Sequence, residues 1–371
     1  MDLSFIRSSC LQNWSYCQQQ FFITYILGLP SAANQKTDMG TICHKVLEIL
    51  AMIKHANQRG EDFIQDDIMG RWVFGEKSVF WMKPTIMTED EIAIENKSRS
   101  AKTIYKYNCQ LPKNHTRYGV EMVNRIIDKV YAYYVEKLPH HDWTGATAKQ
   151  VRLMCWIPLD FKNGMFDPRK REIISPERPF DFPIEESWAK LENGENLRLK
   201  GTVDLITKVD DDTIEIIDWK TGQRVDWAGK DTPVKDYNRL CKDSQLMLYY
   251  YAVREMYPEY KHVILSIFFV RDGGPFSICF DDDTINTIKS RIKSTAAVIQ
   301  ECQLPKMVSS SQSDFRCTRL CHFYKNNWPG SKKNICQYVH DYIKEHGIEK
   351  ASIDLRREGF TTDHYQNPGG E

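Results

Sequence analysis

The chain has 371 residues, with 50 basic and 50 acidic side chains, 27% charged and 42% hydrophobic, which excludes an intrinsically disordered chain. The neutral total argues neither for nor against nucleic acid, which would need a local basic groove. No apolar run reaches the length of a membrane span and no signal peptide opens the chain, so no membrane partner is expected, and eleven cysteines without an export signal point to a reducing cytoplasm.

The sequence reads as one domain, residues 1–371, in five stretches: 1–57, 58–145, 146–300, 301–342 and 343–371. In the first, Leu11, Trp14, Cys17, Phe21 and Tyr25 recur at helical spacing. Two short helices are expected to meet near Cys17, and Gly28 to Pro30 ends the second. Gly40 and His44 open a helix over 41–56 with Val46, Leu47, Leu50 and Ile53 as its apolar stripe. A histidine so placed reads from position alone as a structural helix residue.

Residues 58–117 show little pattern, and 72–81 could be a strand or a helix end. Lys97, Arg99, Lys102 and Lys106, beside Tyr105 and Tyr107, are either a solvated helix face or a groove for single-stranded DNA. Residues 118–138 predict an amphipathic helix through Val120, Val123, Ile127, Val130 and Tyr134. Residues 148–161 read as a strand, and 177–184 as a second, confined to a sheet edge by Pro179 and Pro183. Strands over 199–209 and 213–221 follow, then a polar loop over 224–239 and a helix over 243–256. A strand over 262–271, a turn at 272–275, a returning strand at 276–280 and a helix over 284–300 complete the third stretch. A helix is expected in the tail beyond Ile343.

The two strands over 199–221 organise the rest. Asp210, Asp211 and Asp212 supply the turn between them. A hairpin centred on Asp211 sets Asp204 opposite Asp218, and Lys220, two residues on, leaves the same face as Asp218. Facing carboxylates repel one another, and they suit a hard divalent cation such as Mg²⁺. The competing reading is a hairpin end with solvated charges.

Three motifs in order carry a resemblance: G-x-x-D (Gly201 to Asp204), D-W-K-T-G (Asp218 to Gly222) and Q-x-x-x-Y (Gln245 to Tyr249). Together they resemble the RecB-type branch of the PD-(D/E)xK nuclease superfamily. The resemblance implies an α/β fold with a mixed central sheet flanked by helices, a helical N-terminal region, and a cysteine-rich C-terminal segment closing on it. It implies a metal-dependent DNA nuclease, an exonuclease on single-stranded DNA or DNA ends. His44, Asp204, Asp218 and the carbonyl of Trp219 would hold Mg²⁺ or Mn²⁺, Lys220 would position the attacking water, and Gln245 and Tyr249 would support the ligands. Glu177 to Phe180 resembles the family's E-x-x-F, with Glu177 expected to be solvated. Strand opening would come from a helicase or a recombination or replication partner. The alternative is a non-cleaving DNA-binding or complex-forming subunit with the same fold and a structural zinc.

Cys317, Cys321 and Cys336 fall in one short stretch and suggest a metal site. Zinc would take a fourth cysteine, His322 or His340. An iron–sulfur cluster would take four cysteines. The stretch is similar to the one-plus-three arrangement of RecB-like iron–sulfur nucleases, the AddB nuclease domain and the CRISPR-associated adaptation nucleases. That resemblance adds Cys17 as the fourth ligand of a [4Fe-4S] cluster, with Cys10 and Cys302 as rivals. The spacing C-x3-C-x14-C departs from the family's usual C-x-x-C start.

Overall fold

The computed structural model describes residues 1, 3–29, 35–61, 117–139, 141–191, 193–222, 224, 235–272, 274–308 and 315–356. The basic and aromatic run at 97–107 and the 72–81 segment lie outside the described residues.

The N-terminal region holds β1 (Phe5–Ile6), α1 (Ser8–Tyr16), α2 (Gln18–Phe21) and α3 (Gln35–Gln58). Cys17 interrupts α1 and α2 in an extended conformation, and its sulfur accepts the Gln20 N–H. Two long helices follow, α4 (Arg117–Lys137) and α5 (Ala148–Asp160). The sheet then builds from β2 (Glu172–Pro183), β3 (Arg198–Lys208) and β4 (Thr213–Lys220). After α6 (Tyr237–Leu240) and α7 (Ser244–Met256) come β5 (His262–Phe269), β6 (Gly274–Cys279) and α8 (Asp282–Glu301). The chain closes with α9 (His322–Lys325), α10 (Ile335–His346) and α11 (Ile348–Asp354).

The strand order is β1-β3-β4-β5-β6, with β2 paired to β3. β3 pairs β4 antiparallel, β4 pairs β5 parallel and β5 pairs β6 antiparallel, so the sheet is mixed. Side chains alternate across it. Ile206, Ile214 and Ile216 face one core with α1, α2, α7, α8 and α10. Leu205, Ile217 and Trp219 face the other with α3, α4 and α5. The α/β layering expected from the sequence is the one observed.

Residues 148–161 are the helix α5, not a strand. Thr147 and Gln150 form a reciprocal capping box, and Val151, Met154, Cys155 and Leu159 repeat at helical spacing on its buried side. The capping box fixes the start of this helix. Residues 225–234 of the expected polar loop lie outside the described residues, and 237–240 form a helical turn. β2 starts at Glu172, five residues before the expected strand, because Gln58 satisfies both backbone groups of Ile173 at the irregularity beside it.

Candidate active site

The ladder between β3 and β4 ends at Leu205 and Ile217. Arg198 and Leu199 pair with both β1 and β2, so β1 lies on the edge of β3 that faces β4, at its far end. Between those two pairings the edge of β3 has no ladder partner among the described residues. One further step of the register sets Asp204 against Asp218. There the Trp219 N–H donates to Asp204 Oδ2 at 2.8 Å, so a carboxylate replaces the backbone acceptor. The Trp219 carbonyl leaves the strand on the same side as its N–H.

Asp218 is buried, 1% exposed, near the end of β4. The Lys220 ammonium donates to its Oδ1 at 3.0 Å and stands 2.7 Å from Oδ2. Gln245, on the first turn of α7, bridges the two: its Oε1 accepts from Lys220 at 3.0 Å, and its Nε2 donates to Asp218 Oδ1 at 3.3 Å and to the Tyr249 hydroxyl at 2.9 Å. The Asp243 side chain caps α7 through the Gln245 and Leu246 N–H groups, which fixes where Gln245 begins.

His44 reaches the site from the opposite helical layer, its Nδ1 3.4 Å from Asp204 Oδ2. Gly40 makes that approach possible. A β-carbon on residue 40 would stand 2.6 Å from Thr221 Oγ1, at the end of β4. The G-x-x-x-H and D-W-K-T-G motifs therefore touch through their glycine and threonine, one helical turn before His44. Gly201 plays the same part for G-x-x-D: a β-carbon there would meet the Phe180 ring at 2.4 Å. Phe180, opposite Gly201 across the β2–β3 ladder, packs edge-on against Tyr249 with ring centroids 6.3 Å apart.

Glu177 is not a solvated residue. The β2–β3 register sets Pro176 against Leu205 and Arg178 against Val203, which places Glu177 opposite Asp204, half-buried. Its backbone is left-handed, φ 41°, strained for a side-chain-bearing residue. Glu48 is a member of the cluster the sequence reading passed over. It is paired to Lys45 at 2.5 Å, and its carboxyl feels Asp204 and His44. Its position four residues after His44, on the same helix face, was the available signal.

The charges settle unequally. Burial pushes Asp204 up, but His44, Lys220 and the Trp219 N–H outweigh it and hold the carboxyl below its ordinary value. Burial raises Asp218 to about 6, with Lys220 opposing and Asp204 adding to the rise. Burial and the carboxylates of Asp204 and Glu48 raise Glu177 to about 8. His44 is lowered by burial but lifted to about 9 by Asp204. Lys220 is raised against its burial by Asp218 and Asp204, so it keeps its proton. Crowded, partly protonated carboxyls are what a cation site looks like to its own side chains.

The donor set fits a divalent cation. Asp218 Oδ2 is buried and accepts no hydrogen bond of good geometry, with the Lys220 ammonium 2.7 Å away as its counter-charge. Two carboxylates, an imidazole and a main-chain oxygen suit Mg²⁺ or Mn²⁺. Among the described residues no three His, Cys, Asp or Glu side chains stand as a closed metal-ligand set.

Cys17, Cys317, Cys321 and Cys336 line one cavity of about 260 Å³, walled also by Tyr16 and Phe323. Burial, then the neighbouring Cys17, Cys321 and Cys317, pushes the Cys336 thiol up to about 12. Cys10 is buried away from this cavity beside Tyr25 and Arg7, and Cys302 lies beside the N-terminal amine and Lys306. His322 and His340 do not line the cavity; His340 Nδ1 stands 3.4 Å from Gln19 Oε1 instead.

A family model described as the PD-(D/E)XK nuclease superfamily matches residues 99–324, well over half the chain. The match includes β2 to β6 and α7 but not Cys17, His44 or Cys336. No curated protein matches the chain.

Gly40→Ala is expected to part α3 from Thr221 and draw His44 away from Asp204. The imidazole pKa, followed by NMR, should fall from about 9 toward its ordinary 6.5. Thr221→Ala added to Gly40→Ala should restore it, and an unchanged pKa in the single variant counts against the contact.

Asp218, Glu177 and His44 all hold a proton more tightly folded than free, at about 6, 8 and 9 against ordinary values of 3.8, 4.5 and 6.5. The folded chain thus binds extra protons across that window, so without a cation its stability falls as pH rises from about 4 to about 9. Asp204, held low, is ionised in both states over most of that range and adds little slope. In chelator, the melting temperature should drop as pH rises; Glu177→Gln should flatten the drop, and Mg²⁺ or Mn²⁺ should reverse most of it. A Glu177→Gln protein with the wild-type slope would remove Glu177 from the cluster.

Proposed function

The chain belongs to the PD-(D/E)XK nuclease superfamily, and on that basis we propose that it is a divalent-cation-dependent DNA nuclease, an exonuclease on single-stranded DNA or DNA ends. The observation that carries the reading is the meeting of His44, Asp204, Asp218 and Lys220 around one gap in the sheet edge. A non-cleaving subunit would have no need to hold repelling carboxylates and a charged lysine so close. The preference for single strands and ends rests on the resemblance of the three motifs to RecB-type nucleases, as does the assignment of strand opening to a helicase or a recombination or replication partner.

Mg²⁺ or Mn²⁺ held by His44, Asp204, Asp218 and the Trp219 carbonyl would supply Lewis-acid activation of the phosphate and of water. The rest falls to the chain's own groups. Lys220, protonated and tethered by Asp218 and Gln245, orients the attacking water and offsets charge gathering on the phosphate. Gln245 keeps Lys220 and Asp218 at fixed spacing. Burial keeps Tyr249 protonated, and its hydroxyl anchors Gln245. Asp204, ionised and steadied by the Trp219 N–H, is the carboxylate least dependent on pH.

The second part of the reading is a structural [4Fe-4S] cluster on Cys17, Cys317, Cys321 and Cys336, with zinc as the competing occupant. The shared cavity of these four cysteines supports it, as does the separate placement of Cys10 and Cys302. Thiols raised by burial and by one another give up their protons when a cation arrives to balance them.

Asp204→Asn, Asp218→Asn and Lys220→Ala should each lower cleavage of single-stranded DNA by about 100-fold or more, in Mg²⁺ and in Mn²⁺, while cooperative melting is retained. Near-wild-type cleavage by Lys220→Ala would sink the assigned role.

Cys17→Ser should abolish iron and visible colour in anaerobically purified protein and lower its melting temperature, whereas Cys10→Ser should keep both iron and colour. Wild-type protein that holds zinc and no iron would assign the cavity to a structural zinc.

A further inference from the structure

Lys220 and Gln245 also line a second cavity, of about 260 Å³, that neither His44 nor Asp204 borders. Gln12 from α1, Lys235 and Asp243 complete its polar lining, and the largely buried Leu246 and Phe269 belong to its apolar lining. Its volume lies just below the range of about 300–1,000 Å³ usual for small-ligand pockets, so it suits one nucleotide and not a run of them. Apolar lining beside a few polar groups is the arrangement that holds a base and sugar while fixing a phosphate.

The charges in this cavity are not equivalent. Lys220 is already balanced by Asp218. Asp243, the acidic residue among the described residues that line the cavity, spends an oxygen capping α7. Lys235 is half-buried, held at its backbone by the Arg224 carbonyl, and its ammonium has no ion-pair or hydrogen-bond partner among the described residues. A lysine that lines a cavity with its ammonium in no ion pair or hydrogen bond among the described residues favours an anion there. Gln12 offers both a donor and an acceptor to a base or sugar edge.

Resting on the nuclease reading, we propose that this cavity is the subsite for the terminal nucleotide of the cleaved strand. The scissile phosphate lies by Lys220, the next phosphate on Lys235, and the nucleoside on Leu246 and Phe269. The subsite admits one nucleotide beyond the scissile bond, which is the selection an exonuclease needs. It also makes Lys235 a binding residue for the strand, independent of the cation ligands.

Thymidine 3′,5′-bisphosphate carries a phosphate on each side of one sugar and serves as the probe, with thymidine and inorganic phosphate as controls. Titrated into the full chain in chelator, it should bind more tightly than either control. Lys235→Gln should weaken it by about tenfold, the loss expected for one charge-assisted hydrogen bond. Gln12→Glu, on a different element, should weaken it too by bringing a carboxylate toward the phosphate. Both variants should melt as wild type, since neither side chain is in the core. In the cleavage assay Lys235→Gln should raise KM for a single-stranded oligonucleotide more than it lowers kcat. Equal affinity of wild type and Lys235→Gln for the bisphosphate overturns the subsite and leaves the nuclease reading standing. Lys235-dependent binding by a protein that cleaves nothing in Mg²⁺ or Mn²⁺ keeps a nucleotide site and overturns the nuclease reading.

Discussion

The structure depends on one unfavourable contact, the repulsion between the carboxylates of Asp204 and Asp218. A hairpin left to itself would relax that repulsion by splaying or slipping, and a slip of one residue would turn Asp218 and Lys220 to the other face. Here the register cannot slip. Leu205 and Ile217 belong to one core and Ile206 and Ile216 to the other, so both sides of both strands are fixed by burial. The hydrophobic layers hold the acidic groups together, and the resulting charge is moderated by Lys220, by His44 and by retained protons.

The motif residues form a chain of contacts instead of a row of independent functions. Gly40 lets α3 close on Thr221, so that His44 meets Asp204. Gly201 lets the Phe180 ring cross β3, where it packs against Tyr249. Tyr249 steadies Gln245, which in turn spans Asp218 and Lys220. Both glycines have ordinary backbone angles; what they supply is the absence of a β-carbon at a close approach. The strained residue is Glu177, whose left-handed backbone sits directly across from Asp204.

Protein contacts join the N-terminal region to residues 300–336. Met1 donates from its amine to the Gln300 carbonyl at 2.7 Å, and the Lys306 N–H donates to Gln18 Oε1 at 3.0 Å. Gln19, fully buried, bonds the Lys306 carbonyl through its N–H and reaches the Cys336 carbonyl with its amide. The entropy of closing so long a loop grows only slowly with its length, and the core shared by α1, α2, α8 and α10 contributes to offsetting it. The cysteine cavity is therefore framed by protein contacts, and the Gln18 side chain makes one of them.

The α/β class followed from the resemblance of the motifs; by itself the sequence determined the hairpin, its register, and the grouping of Asp204, Asp218 and Lys220. These are legible because strand periodicity is two and the turn is three aspartates long, so simple counting sets Asp204 against Asp218. The sequence also named His44, Gln245 and Tyr249, but only through the resemblance of whole motifs. Residues 148–161, expected as a strand, form a helix whose local signal is a capping box that only Thr147 and Gln150 carry. What tertiary structure alone decided is everything that joins segments far apart in the chain. Glu177 comes to Asp204 through the β2–β3 ladder, Glu48 to the cluster through the face of α3, and Gln12 to the side of Lys220 and Gln245 through the packing of α1 beside α7. No local pattern records such meetings, because they are set by how the two hydrophobic layers close on the sheet and not by the spacing of residues along any one element.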